Sequence, residues 1–315
     1  MEFGILNPDV ILISMDEIKT ISIQDENYPK LLKEIKEAPE ILYYRGDISC
    51  TFSGKVRDIE NCFAVVGTRR CSDYGKQVAL EIAGDLAEAG LIIVSGLAPG
   101  IDTTSHWATV ERGKKTIAVL GTGLDEKSIY PQSNLKLAEE ILEKGGCLIS
   151  EYPPGTPGSK ITFPQRNRII SGLSLGVLVV EAKQKSGALI TAEWARKQGR
   201  KIFAVPGPIH SLNSKGPNYL IKRGAKLVES ANDILKELNI GLLKSNFNKP
   251  GSLFDKVENE EENLILKTLA EESLYIDKII EKTKLPAAKV ASTLAILEIK
   301  GKIINLGGNV YAIAR

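Results

Sequence analysis

The chain alternates short, wholly apolar runs with longer segments in which apolar residues recur every three or four positions. The apolar runs include "FAVV", "LIIVS", "TIAVL" and "GVLVV", and the periodic segments between them include "YGKQVALEIAGDLAEAG" and "GALITAEWARKQG". Short continuous apolar runs are typical of strands buried on both faces, and periodic segments between them predict helical crossovers. Residues 61–238 are therefore predicted to form an α/β domain with an open, doubly wound, mostly parallel sheet.

The two flanks of this region follow other patterns. Residues 1–60 are interpreted as an entry segment, with a short amphipathic helix stopped by Pro39 and a strand at "ILYYRG". Residues 239–257 lose the periodicity and gain Asn, Lys, Gly and Pro, which is typical of a linker. Residues 258–315 predict three helices and a hairpin that turns at Gly307 and Gly308, the order of a small C-terminal winged-helix domain.

Composition narrows the class of protein without deciding the function. The 315 residues are 43% hydrophobic and 25% charged, with a net charge of +2, so only a local basic patch could indicate nucleic acid. No leader or membrane-spanning run is apparent, and we expect no membrane partner. The cysteines have no metal-ligand spacing, which predicts free thiols, no metal site and a cytoplasmic location; they are Cys50, Cys62, Cys71 and Cys147.

Glycine and cations collect where the predicted strands end. The ends read "VVGTRR", "VSGLAPG", "LGTG", "SEYPPG" and "EAKQKSGA". Ligands of doubly wound sheets bind at this edge, and glycine allows backbone N–H groups to approach an anion, although tight turns also use glycine. The dinucleotide and P-loop fingerprints are both missing. The basic residues at these ends instead suit the phosphates of a nucleic-acid strand; they are Arg69, Arg70, Lys160, Arg166, Arg168, Lys183 and Lys185.

One segment combines an aromatic ring with two cations. "TFPQRNRIISGLS" places Phe163 just before Arg166 and Arg168 and then turns apolar, as a helix start does. The ring could stack on a base while cations meet phosphates. The alternatives are that Phe163 fills the core and that one or both arginines form salt bridges.

Five ordered segments identify a family resemblance. "VVGTRRCSDYG", "SGLAPGID", "FPQRNRIISGLS", "EAKQKSGALITAEWA" and "FAVPG" together resemble the DprA/Smf family of bacterial DNA-processing proteins, over residues 24–238. The resemblance implies a Rossmann-like fold, binding of single-stranded DNA, loading of the RecA recombinase during natural transformation, and a homodimer with the segment "PNYLIKRGAKLV" near its interface. It implies no cofactor and no catalytic residues.

Carried over by position, the resemblance assigns DNA contacts to eight residues. They are Gly67, Thr68, Arg69, Lys160, Phe163, Arg166, Asn167 and Arg168. The chain departs from the family pattern at Pro99, where the family has arginine, and at Gln132, where a basic residue is frequent. The family's frequent N-terminal helical domain is also expected to be absent, because little chain precedes residue 24.

Several other residues could support a different chemistry. His106 has no partner placed for a catalytic triad and is interpreted as structural. Four acidic residues near strand ends could do acid–base work but are expected to cap helices or hold arginines: Asp102, Glu151, Glu181 and Glu193. "SGALITAEWA" weakly resembles the phosphate loop of nucleotide phosphoribohydrolases of the lysine-decarboxylase-like family, which is the alternative function. A protein-interaction scaffold is a third possibility, and the winged helix could contact protein or duplex DNA.

Overall fold

The computed structural model describes residues 17–51, 61–240, 260–270, 272–299 and 302–314. These residues fall into two compact units, one within 1–245 and the other within 246–315. Most of the predicted linker, and residues 1–16 and 52–60 of the entry segment, lie outside the described residues. Within the described part of the chain, no helix is both long and apolar enough to cross a membrane.

The first unit is built on a nine-stranded sheet. Its order is β1-β2-β6-β5-β4-β3-β7-β8-β9, in which β3 to β9 are parallel and β1 and β2 add an antiparallel edge. The prediction of a doubly wound, mostly parallel sheet is confirmed. The strands are Lys19–Ser22 (β1), Ile41–Gly46 (β2), Cys62–Val66 (β3), Ile92–Ser95 (β4), Thr116–Leu120 (β5), Cys147–Ser150 (β6), Gly176–Val179 (β7), Lys201–Ala204 (β8) and Lys226–Leu227 (β9).

Helices cover both faces of this sheet because its central strands are apolar on both. In β3, Ala64 and Val66 point into one core and Phe63 and Val65 into the other. Helices α1, α5 and α6 pack on the first face, and α2, α3, α4 and α8 on the second. The helices are Lys30–Lys33 (α1), Asp73–Glu88 (α2), Ile101–Val110 (α3), Leu135–Glu143 (α4), Thr162–Gly172 (α5), Gly187–Lys197 (α6), Lys215–Lys222 (α7) and Ala231–Glu237 (α8).

The direction of the winding reverses between β3 and β7. From β3 the chain adds β4, β5 and β6 on one side, and it then crosses back to place β7, β8 and β9 on the other. A hydrogen bond of 2.7 Å from the backbone N of Thr68 to the carbonyl of Glu181 joins the carboxyl ends of the two strands. A crevice at such a reversal is where open α/β sheets bind ligands.

Helix α5 brings the Phe-Pro-Gln-Arg-Asn-Arg segment to that crevice. It begins at Thr162, earlier than the apolar pattern indicates, because the Ser159 hydroxyl accepts hydrogen bonds from the backbone N of Ile161 at 3.1 Å and of Thr162 at 3.0 Å. Ile169 and Ile170 bury the other end of the helix in the core. The aromatic and cationic part of the segment therefore lies in the first turns, beside the strand ends.

The second unit is a winged helix, as predicted. Its three-stranded sheet has the order β10-β12-β11, and Gly307 and Gly308 take positive φ values of 97° and 60° at the hairpin turn. A separate core, which includes Ile265, Leu294 and Leu297, holds the unit together. The elements are Glu260–Leu269 (α9), Leu274–Tyr275 (β10), Ile276–Thr283 (α10), Ala287–Ile299 (α11), Ile303–Asn305 (β11) and Val310–Ile313 (β12).

Candidate nucleic-acid interface

A cleft of about 810 Å³ opens at the reversal point of the sheet. Its volume lies within the range of ordinary ligand sites. The loop after β3, the start of α5 and the loop before α6 form its walls. Seven of the eight residues predicted to contact DNA line the cleft, namely Gly67, Thr68, Arg69, Lys160, Phe163, Arg166 and Asn167, whereas Arg168 does not.

Four cations stand exposed on the edge of the cleft. Arg69, Arg70, Lys160 and Lys183 line it, and we call them the rim. Within the described part of the chain, none of the four forms an ion pair with a carboxylate. Solvated cations without a carboxylate partner can neutralise phosphates without first breaking a salt bridge, so the rim has the electrostatic character that a nucleic-acid backbone requires.

The Phe163 ring is half-buried and is held by close packing. A Cβ added at Gly121 would lie 2.9 Å from the ring, and one added at Gly158 would lie 2.5 Å from it, so both glycines are needed for this approach. The guanidinium of Arg69 lies 5.4 Å from the ring centroid, within the range of a cation–π contact. Phe163 is thus a fixed aromatic platform next to a rim cation, the combination found in single-strand-binding surfaces.

Tyr130 is a cleft residue that the sequence reasoning missed. Its ring is 52% exposed, and its centroid lies 5.7 Å from that of Phe163 at an interplanar angle of 43°. The sequence feature that could have indicated Tyr130 is an aromatic residue directly before a proline in the loop after β5. The neighbouring departure from the family pattern, Gln132, donates from its amide to the carbonyls of Glu126 and Ile129 at 2.8 and 2.9 Å, so its side chain stabilises this loop.

Arg166 lies under the cleft, where it is bonded to the protein. Only 4% of it is exposed, and its Nη1 donates to the carbonyl of Gly96 at 2.8 Å and to that of Val119. A Cβ added at Gly96 would lie 2.7 Å from Arg166 and 2.8 Å from Asp102, so the two charged groups meet beside this glycine. Burial lowers the pKa of Arg166 to about 10, and Asp102 opposes that change.

Asp102 and Arg166 line the bottom of the cleft and His106 is buried on the same helix as Asp102; we call these three buried residues the floor. Burial raises the pKa of Asp102, and the charge of Arg166 acts against this. His106 Nδ1 lies 2.8 Å from the Thr116 hydroxyl, and burial together with Arg166 lowers the pKa of the imidazole to about 3. The histidine is therefore neutral at physiological pH, in agreement with its interpretation as a structural residue.

The other two residues of the Arg-Asn-Arg segment also contact the protein. Arg168 forms two hydrogen bonds of 2.6 Å with Glu151, which is the salt bridge allowed as an alternative for one of the arginines. Its Nε donates to the carbonyl of Glu37 at 3.0 Å. Asn167 donates to the carbonyl of Gly187 at 3.2 Å and so holds the start of α6 against α5.

The acidic residues near the strand ends each have a partner, as expected. Asp102 lies beside Arg166, Glu151 pairs with Arg168, and Glu193 pairs with Arg196 at 2.5 Å. Glu181 accepts from the backbone N of Ser72 at 2.9 Å and from the Ser72 hydroxyl at 2.5 Å, where α2 begins. Asp102, Glu151 and Glu181 thus hold loops around the cleft, whereas the Glu193–Arg196 pair lies within α6. No cluster of possible metal ligands occurs within the described ranges.

The fold and the cleft define a Rossmann-like protein with a basic, aromatic-bearing site and an added winged helix. The family described as DNA recombination-mediator protein A matches residues 19–239, and the DprA winged helix domain matches residues 255–309. The chain belongs to this DprA/Smf family. It is 45% identical over 221 residues to the DNA processing protein DprA of Bacillus subtilis, covering 70% of this chain and 71% of that protein.

Other relatives extend the comparison to sequence and structure. Protein Smf of Escherichia coli is 38% identical over 299 residues, which cover 94% of this chain and 77% of the relative. The crystal structure of Streptococcus pneumoniae DprA superposes with a TM-score of 0.64 at 44% identity, over 71% of this chain and 75% of that one. The structure of Helicobacter pylori DprA is described in terms of its single-stranded DNA binding mode. It superposes with a TM-score of 0.62 at 32% identity, over 71% of this chain and 96% of that one.

Proposed function

We propose that the chain binds single-stranded DNA in the cleft, with little sequence preference. The observation that carries this proposal is the packed ring of Phe163 beside exposed Arg69, in a cleft at the reversal point of the sheet that exposed Lys160 also lines. The ring offers a π-face to any base, and the cations neutralise phosphates, so neither contact depends on the sequence. The single-stranded DNA described for the Helicobacter pylori relative supports the same ligand class.

The contacts are proposed residue by residue. Arg69 and Lys160 neutralise phosphates, the backbone N–H groups of Gly67 and Thr68 assist them, and Phe163 stacks on a base. Arg166, Asn167 and Arg168 were predicted as direct contacts from the sequence; their hydrogen bonds to the protein favour a role in positioning Phe163 and the start of α6.

A titration tests the proposal. The chain is expected to bind single strands more tightly than blunt duplex of equal length, and to weaken as salt rises because counterions are released. Equal or tighter binding to the duplex would contradict it.

We further propose that the chain protects incoming strands and loads RecA in natural transformation and recombination, acting as a homodimer. The family membership supports both statements. The proposed dimer face is the α7–β9 region, where Tyr219 is 48% and Leu227 41% exposed. Light scattering that finds a monomer at tens of micromolar, an approximate level suited to weak assemblies, would remove the dimer. RecA filament assembly on protein-coated strands tests the loading.

We also propose that the chain acts without catalysis. The support is that each of the four acidic residues near the strand ends is engaged with a partner in the protein, and that the family match does not favour the nucleotide phosphoribohydrolase alternative. Incubation with nucleoside monophosphates should release no free base. Release of free base that disappears in a variant of one of these carboxylates would overturn the proposal.

A further inference from the structure

A second groove continues from the cleft along the outer face of α6. It has a volume of about 660 Å³, and Ser186 and Gly187 line both it and the cleft. A ligand that follows the cleft toward α6 therefore enters the groove without leaving the protein surface. The groove residues on α6 recur at helical spacing and form one stripe, in which Leu189 and Trp194 are half-buried and the others exposed; they are Gly187, Leu189, Ile190, Glu193, Trp194 and Lys197.

The groove combines an indole with cations. Trp194 is half-buried, and the ammonium of Lys197 lies 4.8 Å from its ring centroid. Lys185 lies exposed at the entrance, next to the rim residue Lys183. Ile190, 39% exposed, extends the apolar surface beside the indole. This repeats the composition of the cleft, where an aromatic ring also stands beside a cation.

One acidic side chain lies in the groove, and its charge is balanced. Glu193 pairs with Arg196 at 2.5 Å, and the hydrogen bond from Arg196 lowers the pKa of the carboxyl. Around the groove, Lys185, Lys197 and Arg196 stand against the single carboxylate of Glu193. The surface is therefore basic, and it suits a polyanion better than an acidic or purely apolar protein segment.

We infer that this groove is a second subsite for the same DNA strand, with Trp194 stacking on a base and Lys185 and Lys197 meeting phosphates. The inference rests on the proposed function of the cleft. The eleven residues of α6 span about 16 Å at 1.5 Å per residue. That length accommodates up to about five nucleotides at the roughly 3.4 Å spacing of a stacked strand, and fewer when the strand is stretched. Strands long enough to leave the cleft should gain affinity from the groove.

The test compares strand lengths. A series of oligothymidylates is titrated against the wild type, Trp194→Ala and Trp194→Phe. For the shortest strand that fills the cleft, Trp194→Ala should bind as the wild type does. For long strands it should bind roughly 5- to 150-fold more weakly, the loss of one stacked base, and Trp194→Phe should recover much of that loss.

Fluorescence gives a readout that leaves the groove intact. The chain has two tryptophans, so Trp107→Phe, on the opposite face of the sheet, leaves Trp194 as the sole indole. Long strands should quench its emission and the shortest strand should not.

The double substitution Lys185→Gln and Lys197→Gln should flatten the salt dependence for long strands by about 0.7 per lost contact. Lys236→Gln, on α8 across the sheet, is the control for the loss of one lysine away from the groove and should leave the salt dependence unchanged.

The outcomes separate the two proposals. Wild type that binds every length equally, or Trp194→Ala that weakens short and long strands alike, overturns the groove subsite and leaves the cleft in place. Emission of Trp194 that is unchanged by long strands overturns it too. Wild type that binds no single strand at any length overturns the cleft proposal itself.

Discussion

The rim and the floor of the cleft both contain an arginine, which is exposed to solvent on the rim and buried in the floor. On the rim, Arg69 is exposed and unpaired within the described chain, and its guanidinium faces the ring of Phe163. In the floor, Arg166 is 4% exposed, donates to two carbonyls and lies beside Asp102. Both arginines lie near the same ring, since the Arg166 guanidinium is 6.0 Å from the Phe163 centroid.

The difference shows that a count of cations in a motif is not a count of phosphate contacts. Removing a guanidinium from water costs several kcal/mol or more, and only neighbouring acceptors or charges can compensate for it. A buried arginine with such compensation is committed to the fold, whereas an exposed one remains available to a ligand. Substitutions on the rim should therefore change DNA binding, and substitutions in the floor should change stability.

The largest expected effect is on stability, from Arg166→Met. This change leaves Asp102 buried without its compensating charge and removes the donor from the carbonyls of Gly96 and Val119. The free energy of unfolding should fall by about 3–5 kcal/mol, measured by urea denaturation. The matched control is Arg69→Met on the rim, which should stay within about 0.5 kcal/mol of the wild type. Equal losses in the two variants would remove the distinction between rim and floor.

The second effect is a pH dependence that originates in the floor. The pKa of His106 is about 3 in the folded protein, and the ordinary value is about 6.5. Between these values the unfolded chain binds a proton that the folded chain does not, so His106 makes the protein less stable as the pH falls through this window. The contribution is of the order of a few kcal/mol, at about 1.4 kcal/mol for each unit by which the pKa values differ.

His106→Gln removes this titration and tests it. The stability of the wild type relative to the variant should rise as the pH increases from about 3 to about 6.5, measured by urea denaturation at several pH values. Asp102, whose raised pKa produces the opposite slope above its unfolded value, is present in both proteins and cancels in the difference. Parallel stability curves for the two proteins would show that His106 is not held neutral.

The third prediction concerns the ring of Phe163, which lies near both Arg69 and Arg166. Phe163→Ala should weaken binding of single strands by about 1–3 kcal/mol, measured by a binding titration, and leave the salt slope unchanged because no counterion is involved. Phe163→Leu separates the two possible causes, because it keeps most of the apolar volume but has no aromatic face. If both variants bind weakly and melt near the wild type, the ring stacks. If alanine lowers the melting temperature sharply and leucine restores binding, the ring fills the core.

The smallest expected effect is a change in how steeply DNA binding weakens with salt. Arg69→Ala should weaken binding and flatten the dependence of log affinity on log salt by about 0.7, one phosphate's share for a single strand. Arg168→Gln is the comparison from the paired arginines, since Arg168 is held by Glu151 at 2.6 Å. It should leave the slope as it is in the wild type. A flattened slope in Arg168→Gln, with none in Arg69→Ala, would reverse the assignment of phosphate contacts.

The elements of the sheet were largely predictable from local pattern. The strands β3 to β8 coincide with continuous apolar runs, and the helices between them with periodic segments. β1 and α8 were missed. β1 reads "KTIS" and has little apolar character of its own; it forms because it pairs antiparallel with β2. α8 did carry a local signal, the capping box of Ser230 and Asp233.

The location of the cleft was also predictable, because glycine and cations mark the strand ends and parallel strands end at one edge. The sequence by itself determined which residue types reach that edge, including the ring of Phe163 and the cations of the rim. Only the tertiary structure decided which cations stay in water and that Tyr130 approaches Phe163. Asp102 and Arg166 lie 64 positions apart in the chain and meet beside Gly96. Burial of a charge depends on all the elements packed around it, and no local pattern records that environment.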